Sequence, residues 1–318
     1  MASAFVFRDD ALLCHQTPEG WWPFHIQLPQ SAPNLDDSTY KPAYQIGRVT
    51  LLESLAPSHW LSASTFNDSV AVNQALTDTS AFTAEAAIAI TDEYAAAHNI
   101  ALPTITEASG YNFLPYRQLI TQLPVALSTQ ISQAIQLLRW QADTQFCSRC
   151  ATPTTPASTE ERAMVCPVCQ LRQYPRVQPC VITAITRPNP QTGEMQILLA
   201  QHLRHGVQKQ PAMYGLIAGF VEVGESLEHA VVREVAEEVN ISVTDIRYVS
   251  SQPWPFPSNL MLGFRAAYAG GDIVIQEEEL THADFFDLSN LPKIPFKGSI
   301  AYELIAQVAR EQGIYLEY

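Results

Sequence analysis

Six glutamates lie between Gly219 and Ile241, in the segment GFVEVGESLEHAVVREVAEEVNI. Three of them, Glu234, Glu237 and Glu238, have the i, i+3, i+4 spacing that places side chains on one face of an α-helix. Like charges at this spacing repel each other, so a purely structural helix gains nothing from them. Carboxylates without neighbouring thiols or imidazoles suit Mg²⁺ or Mn²⁺, which act on phosphates and activate water. These residues therefore predict a divalent cation site for phosphate chemistry.

One amphipathic helix is predicted to carry these glutamates. The segment SLEHAVVREVAEEV has helical spacing, Ser226 is a favourable N-cap residue, and Glu222 and Glu225 come from the preceding loop. The alternative is an acidic face that only meets solvent, which is the commoner explanation of an isolated Glu-Glu pair. The apolar face that would anchor the helix on a core consists of Val231, Val232, Val235 and Val239.

Two CxxC pairs predict a metal site of a different kind. Each pair can place two sulfurs on one metal from a tight turn, and the intervening residues can form a short hairpin. Four thiolates fit tetrahedral zinc, and a site closed by four protein ligands predicts one structural Zn²⁺. The alternative is two disulfides, which a reducing cytoplasm disfavours. The predicted zinc ligands are Cys147, Cys150, Cys166 and Cys169.

Composition limits the partners of the chain. Its 318 residues carry a net charge of −14, which disfavours a general affinity for the nucleic-acid backbone. A phosphate-containing substrate remains compatible, because a divalent metal reverses the local charge. No apolar run reaches the roughly 18 to 20 residues of a membrane span, and the N-terminus does not have the pattern of a signal peptide. We therefore expect a cytoplasmic protein without membrane contacts.

Strands alternate with helices after about residue 176, which predicts an α/β fold with helices on both faces of a sheet. His202 and His205 fall in a predicted loop, where we interpret them as surface groups or as groups behind a site. Before the cysteine pairs, helices are predicted over AFTAEAAIAITDEYAAAHN and LSTQISQAIQLLRWQADTQ. The predicted later elements are the strands VITAIT, MQILLAQ, GLIAGFVEV, RYVSSQPW, LMLGFRAAYA and DIVI, and the closing helix SIAYELIAQVAREQG.

The acidic segment resembles the signature of a known family. From Gly219 it reads G-x5-E-x7-R-E-U-x-E-E-x-N-U, where U is aliphatic. This is similar to the Nudix box of hydrolases that cleave nucleoside diphosphates linked to another group, except that Asn240 replaces a glycine. The position lies at a helix C-terminus, where a left-handed backbone is expected and asparagine is tolerated next best after glycine.

The resemblance to Nudix hydrolases implies roles for single residues. It implies that two or three Mg²⁺ or Mn²⁺ ions bind and that one glutamate helps to activate water. Arg233 orients the glutamates by ion pairing, Glu225 belongs to the catalytic pattern, and the carbonyl of Ala218 is a backbone metal ligand. The residues matching metal-binding glutamates are Glu234, Glu237, Glu238 and, outside the box in a run that alone would be interpreted as solvated, Glu279.

A second motif, SQPWPFPSN over residues 251–259, indicates the substrate. Its prolines restrict the backbone, so Trp254 and Phe256 are held rigidly and can stack on a flat ring. The alternative is a proline-stiffened loop that packs on the core. After a Nudix box, the motif resembles the SQPWPFPxS array of the NADH pyrophosphatases, with Asn259 in place of serine. The preceding zinc ribbon and the string Tyr174-Pro175-Arg176 are similar to the arrangement of that subfamily.

The resemblance implies a homodimeric enzyme that hydrolyses NAD(H) to nicotinamide mononucleotide and AMP and removes NAD caps from RNA 5′ ends. It implies an α+β domain over 1–140, a zinc ribbon over 141–175, and a Nudix α/β/α sandwich with a mixed sheet over 176–318. The alternatives are a Nudix hydrolase of another substrate, such as ADP-ribose or diadenosine polyphosphates, and a non-catalytic zinc-ribbon protein that senses nucleotides. The implied substrate contacts are Arg117, Glu161, Tyr174, Phe220, Gln252, Pro253, Trp254, Pro255, Phe256, Pro257, Ser258, Asn259 and Ala301.

Overall fold

A computed structural model of the chain forms two compact units. The first unit comprises Met1–Ala56, Asn73–Val177 and Pro255–Ser258, and the second comprises Pro57–Val72, Gln178–Trp254 and Asn259–Tyr318. The residues that the structure describes are 3–8, 10–18, 20–27, 43–45, 86–89, 103–105, 109–120, 122–157, 161–203 and 211–316.

The first unit contains a sheet of seven described strands, a three-stranded ribbon and two described helices. The sheet has the order β3-β2-β1-β6-β5, with β4 paired to β1 and β7 paired to β2, and the ribbon has the order β10-β9-β8. The elements are β1 (Ser3–Arg8), β2 (Ala11–Thr17), β3 (Gly20–Pro23), β4 (His25–Gln27), β5 (Ala43–Gln45), β6 (Ala86–Ala89), β7 (Tyr111–Pro115), α1 (Tyr116–Leu119), α2 (Val125–Asp143), β8 (Thr155–Pro156), β9 (Met164–Val165) and β10 (Arg172–Gln173).

One of the two helices predicted in this unit is confirmed. The segment LSTQISQAIQLLRWQADTQ lies largely within α2. The helix predicted over residues 81–99 is wrong at Ala86–Ala89, which forms β6 and pairs in parallel with β1. The backbone hydrogen bonds of this pairing override the helical preference of an alanine-rich segment. The other residues of 81–99 lie outside the described residues.

The second unit is built on one mixed sheet with the order β14-β15-β11-β12-β16, in which β13 also pairs with β11. Strands β11 and β15 run parallel, whereas the other paired strands are antiparallel. The elements are β11 (Gln178–Pro188), β12 (Met195–His202), β13 (Ile217–Phe220), α3 (Leu227–Val239), β14 (Ser242–Trp254), β15 (Asn259–Gly270), β16 (Leu280–Asp287) and α4 (Ile300–Glu311).

Alternating side chains of β11 contact two different apolar cores. Val181 and Ile185 pack with residues of α3 on one face of the sheet. Ile182 and Ala184 pack with residues of α4 on the opposite face, as the period-two geometry of a strand requires. The predicted α/β/α sandwich with a mixed sheet is therefore confirmed. Among the described helices, none is both long and apolar enough to cross a membrane.

One predicted strand of this unit is wrong. Residues 272–275, predicted as the strand DIVI, form no strand. Instead, the N–H of Val274 donates to the carbonyl of Val239 at 3.2 Å, and the N–H of Gln276 donates to that of Glu238 at 2.9 Å. These bonds satisfy carbonyls that the C-terminus of α3 would otherwise leave open. A strand that was not predicted, β16, pairs with β12 at one edge of the sheet, and its polar sequence THADFFD does not show a regular alternation.

Candidate active site

Helix α3 has well-defined ends. The Ser226 side chain accepts a hydrogen bond from the N–H of His229 at 3.2 Å, which confirms the predicted N-cap. At the other end Asn240 has φ 56° and ψ 30°, the left-handed conformation expected where the Nudix box has glycine. Its N–H still donates to the carbonyl of Ala236. The replacement of glycine by asparagine thus preserves the helix end.

The three glutamates of the predicted metal face differ strongly in exposure. The side chain of Glu238 is 2% exposed, that of Glu234 12%, and that of Glu237 54%. The acidic face therefore extends from the interior of the unit at Glu238 to its surface at Glu237. The core face of α3 is narrower than predicted, because Val232 is 44% exposed and does not belong to it. The valines that do anchor the helix, at i, i+4 and i+8, are Val231, Val235 and Val239.

Arg233 collects the carboxylates of this region around one guanidinium group. Its Nε and one terminal nitrogen donate to both oxygens of Glu225 at 2.8 and 2.9 Å. Another terminal nitrogen donates to Glu234 and Glu237, each at 2.9 Å, and the Phe220 carbonyl accepts a bond of 2.8 Å. The planar fork of arginine is well suited to such multiple contacts. These are the contacts expected of a residue that orients the glutamates.

The carboxylates have different pKa values because their surroundings differ. Hydrogen bonds from Arg233 lower the pKa of Glu225 to about 2. Burial raises the pKa of Glu234, and the charges of Glu237 and Glu279 add to this effect. Glu279 therefore lies close enough to influence Glu234 electrostatically, although it is far away in sequence. Its carbonyl accepts a hydrogen bond from the N–H of Leu203 at 2.8 Å.

Gly219 provides the space in which the Glu234 carboxylate lies. A Cβ atom at position 219 would be 1.9 Å from Cδ of Glu234 and about as close to both of its oxygens. The carboxylate thus lies directly against the backbone of β13. Ala218, whose carbonyl is the predicted backbone metal ligand, is the preceding residue of the same strand. The structure therefore brings these two predicted ligands together.

His202 lies behind this site, which is one of the two positions expected for it. It is the last residue of β12 and is buried, so its assignment to a surface loop is wrong. Its Nε2 lies 3.1 Å from the carbonyl oxygen of Leu216, which can only accept, so this nitrogen carries the hydrogen. Its Nδ1 lies 3.9 Å from an oxygen of Glu238. Leu198 and Ala200 are buried on β12, and the period-two geometry of a strand places His202 on the same face, which could have indicated its burial. His205 lies outside the described residues.

The four cysteines of the ribbon surround one point. Their Sγ atoms all lie within 4.8 Å of one another, and the Cys147–Cys169 and Cys150–Cys166 pairs are 3.5 Å apart. A tetrahedron with Zn–S bonds of about 2.3 Å has edges of about 3.8 Å, so the spacing fits one structural Zn²⁺. The N–H groups of Arg149 and Cys169 donate to Cys147 and Cys166 and stabilise thiolate charge. No disulfide joins any of the six cysteines, all of which are described.

Replacing one of these ligands is expected to release the zinc. In Cys166→Ser, zinc content should fall from about one ion per chain to less than half, because a hydroxyl is a poor zinc ligand. Loss of the ion removes folding free energy from the ribbon, so limited proteolysis should cut residues 147–169 faster. Cys180→Ser is the matched control, since Cys180 is buried in the second unit. Full zinc content in Cys166→Ser would contradict the assignment.

Sequence comparisons identify the family to which this site belongs. A NUDIX domain model matches residues 178–308, and an NADH pyrophosphatase zinc ribbon domain model matches residues 142–174. The protein named NAD-capped RNA hydrolase NudC from Klebsiella pneumoniae (strain 342) is 46% identical over 189 residues, which are 59% of this chain and 69% of that protein. The protein of the same name from Salmonella schwarzengrund (strain CVM19633) is 45% identical over the same shares of both chains. The chain belongs to the Nudix family.

The acidic side chains of this Nudix domain fit the divalent cations that Nudix hydrolases use. Mg²⁺ and Mn²⁺ prefer oxygen ligands, and Glu234, Glu237 and Glu238 together with a backbone carbonyl provide only oxygens. In the described part of the chain, the cysteines are the only group of three or more possible ligands that already lie within 4.8 Å of one another. Arg233 holds Glu234 and Glu237, so a cation would compete with its guanidinium for these oxygens.

Several residues predicted to bind substrate form local pairs. In the ribbon, the Tyr174 hydroxyl donates to Glu161 at 2.7 Å, which raises the pKa of Tyr174. In the Nudix domain, the Gln252 amide donates to the Gly298 carbonyl at 2.9 Å and accepts from the N–H of Ile300 at 2.8 Å. Gln252, on β14, therefore contacts the N-terminus of α4. Ala301 is the second residue of that helix.

The remaining predicted contacts lie around the aromatic loop and on β13. Trp254 and Asn259 pair at the ends of β14 and β15, and Pro255–Ser258 connect them. The Phe256 ring lies beneath the guanidinium of Arg117, with Cζ 4.2 Å from the ring centroid. The ring face of Phe256 that Arg117 covers is therefore in contact with the protein itself. Phe220, at the end of β13, is 50% exposed.

Proposed function

We propose that this Nudix protein hydrolyses the diphosphate bond of NAD(H) to nicotinamide mononucleotide and AMP, and that it also removes NAD caps from RNA 5′ ends. The observation that carries the proposal is the set of glutamates that Arg233 binds, of which Glu234 lies against the Gly219 backbone. The ribbon match to NADH pyrophosphatases and the names of the curated relatives support the choice of substrate.

The reaction is assigned to the acidic residues of α3 and their neighbours. When bound, two or three Mg²⁺ or Mn²⁺ ions would neutralise diphosphate charge and make water more acidic. The proposed ligands are Glu234, Glu237, Glu238, Glu279 and the Ala218 carbonyl. The residues themselves orient the reactants: Arg233 fixes Glu225 and Glu234, and the Gly219 backbone limits where the Glu234 carboxylate can lie.

Glu238 is proposed as the group that receives a proton from the attacking water. Its side chain is almost fully buried, and His202 lies beside it, so its position is restricted by packing. The oxygen of water forms a bond to one phosphorus while the bond from that phosphorus to the bridging oxygen breaks. The bridging oxygen leaves on the other phosphate, so the products are two monophosphates, nicotinamide mononucleotide and AMP.

The substrate contacts remain proposals from family resemblance. We assign the dinucleotide to Arg117, Glu161, Tyr174, Phe220, residues 252–259 and Ala301. A homodimer is proposed because the apolar side chains of Phe220 and Val223, which flank the acidic site, are exposed and would be covered in a dimer. A cytoplasmic location is proposed because all six cysteines lack disulfides.

A competition experiment tests the substrate. NADH, ADP-ribose and an NAD-capped RNA would be offered together with Mn²⁺, and kcat/KM for each would be obtained from the products separated by chromatography. The proposal predicts that NADH or the capped RNA exceeds ADP-ribose by about tenfold or more, a difference of about 1.4 kcal/mol. Preferred cleavage of ADP-ribose would instead indicate another Nudix substrate class. Binding of NADH without any turnover would indicate a nucleotide sensor.

A further inference from the structure

The proline-rich loop does not provide enough backbone donors for its own carbonyl groups. Pro255 and Pro257 have no N–H, so the segment contributes more acceptors than donors. Pro255 is buried, and a buried carbonyl without a hydrogen bond is costly. The Pro255 carbonyl therefore needs a donor from outside the loop, whereas Pro257 is exposed.

Arg139 of α2 provides these donors. One terminal nitrogen of its guanidinium donates to the Pro255 carbonyl at 3.1 Å and also to the Pro257 carbonyl. The other terminal nitrogen donates to Asp10 at 2.5 Å, and the Arg139 side chain is only 23% exposed. The planar guanidinium has several N–H donors in fixed directions, so it can bind the two carbonyls and the Asp10 carboxylate together. A lysine ammonium is a compact point charge without this fork geometry. The two carbonyls thus receive donors from one side chain of a long helix.

The same loop conformation fixes Phe256 against α1. The Phe256 ring centroid is 6.1 Å from that of Tyr116, and Arg117 lies over the Phe256 ring. Tyr116 is fully buried, and its hydroxyl donates to the Ser128 carbonyl of α2 at 2.5 Å, so α1 is held on α2. A cavity of about 440 Å³ is lined by Arg117, Arg139 and Phe256. Phe256 thus lies between the two prolines whose carbonyls Arg139 binds, and its ring contacts Tyr116 and Arg117.

We propose that Arg139 is a positioning residue for substrate specificity, which holds the Pro255–Pro257 backbone so that Phe256 and Arg117 are set for the nicotinamide dinucleotide. The substrate in this inference is taken from the proposed function. The hydrogen bonds of Arg139 are independent of that function. Arg139 lies on α2, outside the Nudix box and the aromatic motif, and it acts on the substrate through Phe256.

The first test is amide hydrogen exchange of the full-length protein. Arg139→Met removes the donors and keeps an unbranched apolar side chain, and Gln136→Met places the same side chain one turn earlier on α2 as the control. We expect peptides covering residues 251–260 to exchange about tenfold faster or more in Arg139→Met than in the control. Equal exchange in the two variants would overturn the positioning role, whatever the substrate is.

The second test is a double-mutant cycle with NADH and Mn²⁺. Alone, Arg139→Met should raise KM about tenfold and change kcat less than threefold, whereas in a Phe256→Ala background it should raise KM less than twofold. If the KM increase of the double variant equals the product of the increases in the two single variants, Arg139 does not act through the loop and the proposal is overturned. The proposal is also overturned if the wild type is active and Arg139→Met leaves KM unchanged. A wild type that leaves NADH intact would refute the proposed function, while hydrogen exchange still decides the role of Arg139 in the loop.

Discussion

Glu238→Gln is expected to reduce kcat for NADH by about 10³-fold or more while the protein remains folded. The substitution keeps the size of the side chain but removes both the proton acceptor and the negative charge, and general-base groups contribute about 10² to 10⁴-fold. Packing should persist because Glu238 is buried among its neighbours and glutamine is nearly isosteric. The measurement is steady-state hydrolysis with Mn²⁺, together with the thermal unfolding curve.

The matched control is Glu228→Gln on the same helix. Glu228 lies in the first turn of α3 and is exposed, so its variant loses the same charge without touching the acidic site. Its kcat should stay within about twofold of the wild type, as expected for a surface substitution. Turnover in Glu238→Gln equal to that of Glu228→Gln would rule out the role assigned to Glu238.

Gly219→Ala is expected to reduce hydrolysis by about 100-fold or more with little loss of stability. The new methyl group would occupy the place of the Glu234 carboxylate, 1.9 Å from its Cδ. The carboxylate is the end of a flexible side chain, so it can move aside and the free energy of unfolding should change by only about 1 kcal/mol or less. The displaced carboxylate would then no longer lie beside the Ala218 carbonyl. Metal affinity should fall together with activity.

Gly215→Ala separates this effect from the loss of a glycine as such. A Cβ at position 215 would meet the His202 ring at an ordinary contact distance of 3.6 Å, so this variant should keep most of its activity. Both variants would be compared by kcat/KM for NADH and by titration with Mn²⁺. A fully active Gly219→Ala protein would mean that the position of Glu234 in the structure is irrelevant to the reaction.

The acidic helix could be predicted in detail because its signals are local. The N-cap at Ser226, the left-handed Asn240 and the i, i+3, i+4 glutamates each depend on residues within a few positions of one another. The ribbon was equally accessible, since two CxxC turns specify a tetrahedral site by themselves. The Nudix fold followed from these motifs by resemblance, and the alternation of strands and helices agreed with it.

The parts that sequence reasoning missed depend on contacts between distant segments. Val232 looked like a core residue from its type, but the helix rotation that exposes it is set by the sheet beneath α3. The segment at 272–275 has the composition of a strand, yet its N–H groups bond to the end of α3. For His202 the sequence left open a surface position or one behind a site, and the choice between them is made by β12, which places it near Glu238. The role of Arg139 likewise requires the fold, since it lies far in sequence from Pro255.

The most direct measurement of the central claim is hydrolysis of NADH in ¹⁸O-labelled water, with Mn²⁺ and with a chelator. The proposed reaction predicts reduced nicotinamide mononucleotide and AMP in equal amounts, with one ¹⁸O atom in the phosphate of only one of them. It also predicts no products with the chelator, because the acidic site acts only with its cations. Unlabelled products, cleavage at a glycosidic bond, or full turnover with the chelator would contradict a metal-dependent attack of water on the diphosphate.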